Sequence, residues 1–232
     1  MLASSQPASD PGGKWFAEPA TRVRRVIASH RHRFVFLKTR KTAGTSIEIA
    51  LSRFCGPEDI VTPISPEDEE LRAREGGCGP QNHLTTPSAF NHMGAARVVK
   101  IIGADAWADY FTFAVERNPW DVVASSYRFS ARRADWDRSF AEFVRSPRVE
   151  RLARNQRIYR IGAAIAVDQL YRYEELPAAL ADVAARLGLP DLGLPHAKSS
   201  SGPHYRDLYG PGDAEIVAEQ FALTIETLGY RF

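Results

Sequence analysis

Residues 34–54 have the sequence FVFLKTRKTAGTSIEIALSRF, and this stretch decides the fold. Residues 34–37 are an uninterrupted apolar run, which predicts a strand buried on both faces. A polar turn follows over residues 38–44, and from Thr45 onward the apolar residues recur at helical spacing. A strand, a short turn and a helix start form an anion site, because free N–H groups and the positive end of the helix dipole meet there. We therefore expect a phosphate- or sulfate-like ligand at this turn.

The turn also supplies side chains suited to an anion. Lys41 adds a mobile cation, and the hydroxyls of Thr42, Thr45 and Ser46 are hydrogen-bond donors. The Walker A loop of NTPases places its lysine directly after the last glycine. Here Gly44 is followed by Thr45, and Lys41 lies three residues before the glycine. The spacing is therefore not that of a Walker A loop.

The string Lys41-Thr-Ala-Gly-Thr-Ser46 instead resembles the phosphosulfate loop of sulfotransferases that use 3'-phosphoadenosine 5'-phosphosulfate (PAPS). The chain departs from that loop at Arg40, where the family usually has proline, so the turn lacks a fixed φ. The resemblance implies a loop that binds the donor through Arg40, Lys41, Thr42, Ala43, Gly44, Thr45 and Ser46.

A second strand-turn-helix unit lies at residues 110–129, YFTFAVERNPWDVVASSYRF. Residues 110–115 predict a buried strand, and Pro119 suits the first turn of a helix. Arg117 would then stand at the carboxyl end of a strand, where open α/β sheets bind ligands. The segment resembles the 3'-phosphate-binding segment of the same sulfotransferases, which implies that Arg117 and Ser125 hold the 3'-phosphate.

A late loop, residues 198–206, is rich in small and basic residues. Sulfotransferases place a basic loop over the adenosine phosphate of the donor. The resemblance therefore makes Lys198 and Ser199 further candidates for binding the cofactor, and a loop with no ligand is the alternative.

Two histidines precede the second strand. His92 lies just before a segment, residues 94–102, whose apolar spacing predicts a helix that Gly103 ends. The positive end of a helix favours a neutral imidazole that can accept a proton, but a lone histidine at such a position is more often a capping or packing residue. Together with Trp107, His92 resembles the arrangement of carbohydrate-type sulfotransferases. This implies that His92 is the general base, with His83 as the alternative.

The composition limits the other function classes. The chain has 232 residues, of which 44% are hydrophobic and 25% charged, which predicts one domain at residues 21–232 behind a flexible tail at residues 1–20. A formal net charge of +2 does not indicate binding to nucleic acid. No apolar run reaches the 18 or so residues of a membrane span. Cys55 and Cys78 lack metal spacing, so we expect free thiols and a cytoplasmic location.

The resemblance implies an α/β fold with a mainly parallel central sheet flanked by helices, like that of nucleotide kinases. It also implies a sulfotransferase that moves a sulfuryl group from PAPS to a hydroxyl of a carbohydrate or small molecule, with 3'-phosphoadenosine 5'-phosphate (PAP) as product and no metal. Lys41 would stabilise charge on the leaving oxygen, and His92 would take the acceptor proton. Two alternatives stay open: a P-loop kinase or NTPase, in which Glu116 would have the Walker B position, and a non-catalytic nucleotide-binding protein.

Residues 55–80 are rich in Pro, Gly and acidic residues and predict either a substrate loop or a surface excursion with a short helix.

Overall fold

A computed structural model describes residues 26–83, 92–195 and 204–232. The predicted tail at residues 1–20 lies outside the described residues, as do Lys198 and Ser199.

A five-stranded sheet forms the centre of the fold. Its strands are β1 (Val26–Ser29), β2 (Phe34–Leu37), β3 (Ile60–Val61), β4 (Phe111–Glu116) and β7 (Gln169–Arg172). Their spatial order is β3-β1-β2-β4-β7. Strands β2, β4 and β7 are parallel, whereas β1 runs antiparallel to both β2 and β3. The prediction of an α/β fold with a parallel core is therefore confirmed, and the sheet as a whole is mixed.

The antiparallel part of the sheet comes from a tight connection. Strand β1 pairs with β2 across four residues, and Arg33 adopts a left-handed φ of 53° next to β2. All residues of both strands are buried, as the unbroken apolar run of β2 predicts. A small second sheet pairs β5 (Arg160–Ile161) with β6 (Ala164–Ile165).

Helices cover the sheet. They are α1 (Gly44–Ser52), α2 (Pro66–Arg74), α3 (Ala95–Ile102), α4 (Ala104–Asp109), α5 (Pro119–Arg132), α6 (Phe140–Val144), α7 (Pro147–Ala153), α8 (Leu176–Leu187), α9 (Asp213–Gln220) and α10 (Ala222–Leu228). Short 3₁₀ turns occur at Arg154–Arg157, Tyr173–Glu175 and Tyr205–Leu208. Among the residues described, no helix is both long enough and apolar enough to cross a membrane.

The helix starts follow local rules. Asn118 caps α5 by accepting hydrogen bonds from the N–H groups of Trp120 and Asp121, and Pro119 occupies the first turn. Ser65 caps α2 in the same way, so the breaker-rich segment 55–80 contains a real helix.

One helix is shorter than its sequence pattern predicts. The periodicity over residues 148–161 predicts a continuous helix, whereas α7 ends at Ala153 and a 3₁₀ turn follows. The side chain of Asn155 is bonded to the backbone of Arg40, and this long-range contact fixes the turn in place of another helical turn.

The aromatic centre of the core lies on β4. Phe113 is 1% exposed, and its ring centroid lies 5.1 Å from that of Phe36, 5.4 Å from that of Phe111 and 6.1 Å from that of Tyr171. These rings join three neighbouring strands, and two of these strands, β2 and β4, end at the turns that carry the predicted residues of the anion loop and Arg117. The core therefore fixes the spacing of those turns.

Phe113→Ala should lower the free energy of unfolding by about 3–5 kcal/mol, because it removes a fully buried ring and leaves a cavity. The matched control is Ile161→Ala, at a side chain that is 43% exposed, and it should cost less than about 1 kcal/mol. Urea unfolding followed by circular dichroism measures both variants. Equal destabilisation by the two variants would contradict this description of the core.

Candidate functional site

The turn between β2 and α1 has the backbone of an anion-binding loop. Lys41 and Ala43 have left-handed φ angles of 65° and 57°. Such residues occur in concave turns whose N–H groups converge on an anion. Ala43 is the residue before α1, and no side chain caps the helix there. The first N–H groups of α1 are thus left to a ligand or to water.

Lys38 lies beneath this loop, and sequence reasoning gave it no role. Its side chain is 4% exposed, and its ammonium group pairs with the carboxylate of Glu48, which is fully buried. The same ammonium donates to the hydroxyl oxygen of Thr45 at 2.9 Å. A methyl group at Gly44 would lie 2.5 Å from Cγ of Lys38, so only glycine fits there. A sequence signal did exist, because Glu48 interrupts the apolar face of α1 and so indicates a buried cationic partner.

The hydroxyl groups of the loop have different roles. Thr39 donates its only proton to the carbonyl oxygen of Val115, at the end of the neighbouring strand β4. Thr42 is fully buried, and its proton has acceptors only inside the protein among the described residues, namely the hydroxyl and carbonyl oxygens of Thr39. Thr45 accepts from Lys38, which has no acceptor atom, so its own proton can be donated elsewhere. Among the described residues, the Thr42 proton is therefore used inside the protein, whereas the Thr45 proton can be donated to a ligand.

Arg117 connects the second predicted element to the loop. Its Nη1 donates to the carbonyl oxygen of Lys41 at 3.1 Å, and Nε and Nη2 bond the carboxylate of Asp121 at 2.8 and 2.7 Å. The guanidinium also lies 4.2 Å from the ring centroid of Tyr173. The side chain is largely buried, with 10% of its surface exposed. Arg117 therefore holds the loop against the start of α5, and Ser125 is buried two turns further along that helix.

Asn155 forms a third support for the loop. Its side-chain oxygen accepts from the N–H of Arg40 at 3.1 Å, and its side-chain nitrogen donates to the carbonyl oxygen of Arg40 at 3.1 Å. The same nitrogen is 3.5 Å from the carboxylate of Glu116. Burial lowers the pKa of Arg40, and the neighbouring guanidinium groups of Arg151 and Arg154 lower it further. Several cations therefore surround this side of the loop.

The side chain of Lys41 points toward α5. Its ammonium nitrogen lies 4.1 Å from the centroid of the Phe129 ring, in a cation–π contact. Phe129 is 39% exposed, so the ammonium lies at the surface beside the loop. Sequence reasoning had not included Phe129, because an aromatic residue in a helix gives no sign of a contact 88 residues earlier in the chain.

His92 reaches the loop from the other side. It lies just before α3 with a left-handed φ of 65°, and its Nδ1 is 2.8 Å from the carbonyl oxygen of Lys38. A carbonyl oxygen only accepts, so Nδ1 carries the proton and Nε2 is the basic nitrogen of the neutral ring. His83 is partly buried, and nothing among the described residues pairs with its Nδ1. The structure therefore connects His92, and not His83, to the predicted anion loop.

Glu116, at the carboxyl end of β4, is a buried acid next to the site. Burial raises its pKa to about 7, although hydrogen bonds from the N–H of Arg117 and from Asn155 act in the opposite direction. Among the described residues, no group of three or more His, Cys, Asp or Glu side chains is arranged to hold a metal ion.

These contacts bring together three segments that are far apart in the sequence: the loop at residues 38–46, His92 and the turn at Arg117. Together these segments form a cationic surface that carries uncapped helix N–H groups, the donor hydroxyl of Thr45 and the basic imidazole nitrogen of His92. The first features suit a sulfate or phosphate group, and the imidazole suits removal of a proton.

Comparisons with known proteins give few relatives. No family model matches the chain. Among curated proteins, the chain is 28% identical over 117 residues to an uncharacterized protein of Archaeoglobus fulgidus, a match that covers 46% of this chain and 92% of that protein. Among solved structures, it is similar to a sulfotransferase from Alicyclobacillus acidocaldarius, with 19% sequence identity, a TM-score of 0.42, and coverage of 86% of this chain and 96% of the other. At these values the likeness carries no weight for function, which has to be inferred from the residues of the site.

Glu116→Gln should change how stability depends on pH. The pKa of Glu116 is about 7 in the folded protein against an ordinary value of 4.5, so the folded state binds the extra proton between these values. Its contribution to stability is therefore present below about pH 4.5 and is lost as the pH rises through about 7. Relative to Glu116→Gln, the wild type should lose about 2–3 kcal/mol of unfolding free energy between pH 5 and pH 8.

Urea unfolding at several pH values measures this difference. Glu142→Gln is the control, because hydrogen bonds from Ser139 lower the pKa of Glu142 and so move its titration below this pH range. The control should retain the pH dependence of the wild type. Identical slopes for Glu116→Gln and the wild type would show that Glu116 is already ionised at pH 5.

Proposed function

We propose that this protein is a sulfotransferase that moves a sulfuryl group from PAPS to a hydroxyl of a carbohydrate or small-molecule acceptor. One observation carries the proposal. The two segments that resemble the donor-binding segments of sulfotransferases are in direct contact, through the hydrogen bond from Arg117 to the carbonyl oxygen of Lys41. Arg117 and Lys41 are 76 residues apart in the sequence, so the two segments could bind one ligand only if the fold brings them together.

The loop would hold the 5' end of the donor. The uncapped N–H groups at the start of α1 and the hydroxyl protons of Thr45 and Ser46 are suited to its charged oxygens. The contacts of Thr42 leave only its backbone N–H for this purpose. Arg117 and Ser125 would hold the 3'-phosphate, and Lys198 and Ser199 remain candidates for the same group. Arg117 already donates to the Lys41 carbonyl oxygen and to Asp121. It would therefore bind the ligand through its remaining N–H hydrogens.

The donor, when bound, supplies an activated sulfuryl group. Lys41 would then leave the Phe129 ring and place its ammonium group against the loop, where negative charge develops as the nucleotide departs. His92 would accept the proton of the acceptor hydroxyl at Nε2, because its bond to Lys38 keeps the other nitrogen protonated. Positioning and charge stabilisation of this kind need no metal ion from the protein.

The kinase alternative depends on Glu116 as a metal-binding acid. Glu116 is fully buried and has a raised pKa, and one of its oxygens already accepts from Arg117 and Asn155. A carboxyl group in such a place is a poor ligand for Mg²⁺, which prefers charged oxygens and keeps several waters. The environment of Glu116 therefore argues against the kinase alternative. The function that we favour is sulfation of a carbohydrate or natural product, with a cytoplasmic location.

PAP should raise the melting temperature of the protein in the absence of Mg²⁺, whereas ATP should do so only weakly.

Thr45→Val should weaken PAP binding by about tenfold or more, because it removes a hydrogen bond to a charged group. Thr45→Ser should restore the affinity. Thr42→Val is the matched control and should leave PAP affinity within about twofold, since its hydroxyl proton is used inside the protein. Titration calorimetry measures these affinities.

Strong stabilisation by ATP with Mg²⁺, together with none by PAP, would refute the sulfotransferase proposal. A larger loss of affinity in Thr42→Val than in Thr45→Val would leave the donor assignment standing and exchange the roles of the two hydroxyl groups.

His92→Asn should lower the turnover of sulfuryl transfer by about 10²-fold or more, the usual size of a general-base contribution. Asparagine can still donate to the Lys38 carbonyl oxygen and tolerates a positive φ, so the variant removes only the basic nitrogen. PAP affinity should stay within about twofold of the wild type. The decrease in rate on acidification should also disappear.

His83→Asn serves as the control and should keep turnover close to that of the wild type. A PAPS-dependent screen of hydroxyl acceptors, read by mass spectrometry, provides the assay. Loss of turnover in His83→Asn with normal turnover in His92→Asn would require the two roles to be exchanged.

A further inference from the structure

We propose that Cys55 and Cys78 form a reversible modification site, at which a small disulfide oxidant such as glutathione disulfide converts the two thiols into an intramolecular disulfide. This inference does not depend on the proposed function. It concerns the opposite end of α1 from the anion loop.

The backbone brings the two cysteines together. Cys55 lies three residues beyond the end of α1, and Cys78 lies four residues beyond the end of α2. Their N–H groups donate to the same acceptor, the carbonyl oxygen of Ser52, at 3.4 and 3.1 Å. The shared acceptor at Ser52 makes the two backbone segments neighbours, and the Cys55 thiol itself donates to the carbonyl oxygen of Leu51 at 3.7 Å. Both residues are free thiols and both are partly exposed.

The charges around the pair favour Cys78 as the reactive thiol. The neighbouring Cys55 thiol lowers the pKa of Cys78 to about 7, and the guanidinium of Arg72 lowers it further, against burial and the carboxylate of Asp59. The neighbouring Cys78 thiol, together with burial, raises the pKa of Cys55. Arg72 is fully buried, and its Nε has no partner among the residues described. Thiolates with lowered pKa are the ones that attack disulfides near neutral pH.

The reaction balances as two exchanges. The Cys78 thiolate attacks one sulfur of glutathione disulfide, a mixed disulfide forms, and one glutathione thiolate leaves. Cys55 then loses its proton to solvent, its sulfur attacks the Cys78 sulfur, and the second glutathione leaves. The two protein thiols are oxidised by two electrons, and the oxidant is reduced to two thiols.

The bridge would join the segment that follows α2 to the end of α1. Cys78 belongs to that segment, and within it Gln81 exchanges two backbone hydrogen bonds with Val61. Cys55 belongs to the end of α1, whose other end carries the anion loop. A disulfide would therefore join the segment around Gln81 to α1, the helix that supports the loop.

The test uses the full chain and its Cys55→Ser and Cys78→Ser variants. Each reduced protein is exposed to glutathione disulfide, the remaining thiols are alkylated under denaturing conditions, and the intact mass is measured. The wild type should lose two hydrogens and both alkylation sites, and dithiothreitol should restore them. Cys55→Ser should stop at one bound glutathione, and Cys78→Ser should react about tenfold or more slowly. The oxidised wild type should also melt about 5–10 °C higher than the reduced protein, because the bridge constrains the unfolded chain.

Three results would overturn the proposal: a wild type that keeps both thiols, one that ends with two bound glutathiones, and one that forms only disulfide-linked dimers. A bridge that lowers the melting temperature would also contradict it, since the native backbone would then have to distort to accommodate the bond. Equal reaction rates for the two variants would contradict the assignment of Cys78 as the attacking thiol.

Discussion

The buried ion pair between Lys38 and Glu48 is the interaction on which the rest of the site depends. Removing two charges from water costs several kcal/mol for each ion, and the cost is offset only where the geometry and the additional hydrogen bonds are good. Here the ammonium group also bonds Thr45, and its methylene groups fill the space beside Gly44. The strand, the turn and the first helix are therefore joined by one side chain. A polar contact in this position defines one arrangement of the loop, which apolar packing alone would not do.

Three further contacts hold the loop by its backbone carbonyl groups. The carbonyl oxygen of Lys38 faces His92, that of Lys41 accepts from Arg117, and that of Arg40 accepts from Asn155. Arg40 also donates its N–H to the Asn155 side chain, a bond that proline could not make. This explains how the turn keeps its shape with Arg40 at the position where the sulfotransferase loop usually has proline. A hydrogen bond from Asn155 fixes the turn that a proline ring would otherwise restrict.

The two strand-turn-helix units were predictable because their signals are local. The apolar run of β2, the helical spacing after Thr45 and the proline at the start of α5 each depend on neighbours in the sequence. The contacts of Asn155 with Arg40 and Glu116 were not predictable, because a single sequence contains no record of a partner tens of residues away. The same limit applies to the pairing of β1, whose four residues suit a strand or a helix until β2 and β3 are placed beside it. Local patterns thus determined the elements of the site, and tertiary contacts determined which side chains meet there.

The left-handed backbone of Lys41 and Ala43 has a dynamic consequence. Non-glycine residues in this region carry a cost of roughly 1–2 kcal/mol each, so the loop does not favour its own shape. The supports come from the end of β4, from Arg117 in the turn before α5 and from the 3₁₀ turn that contains Asn155. When any one of them opens locally, the loop can relax to an ordinary backbone and lose its arrangement of N–H groups. The lifetime of the loop's anion-binding shape is thus set by the least stable of three separate supports, and not by the loop itself.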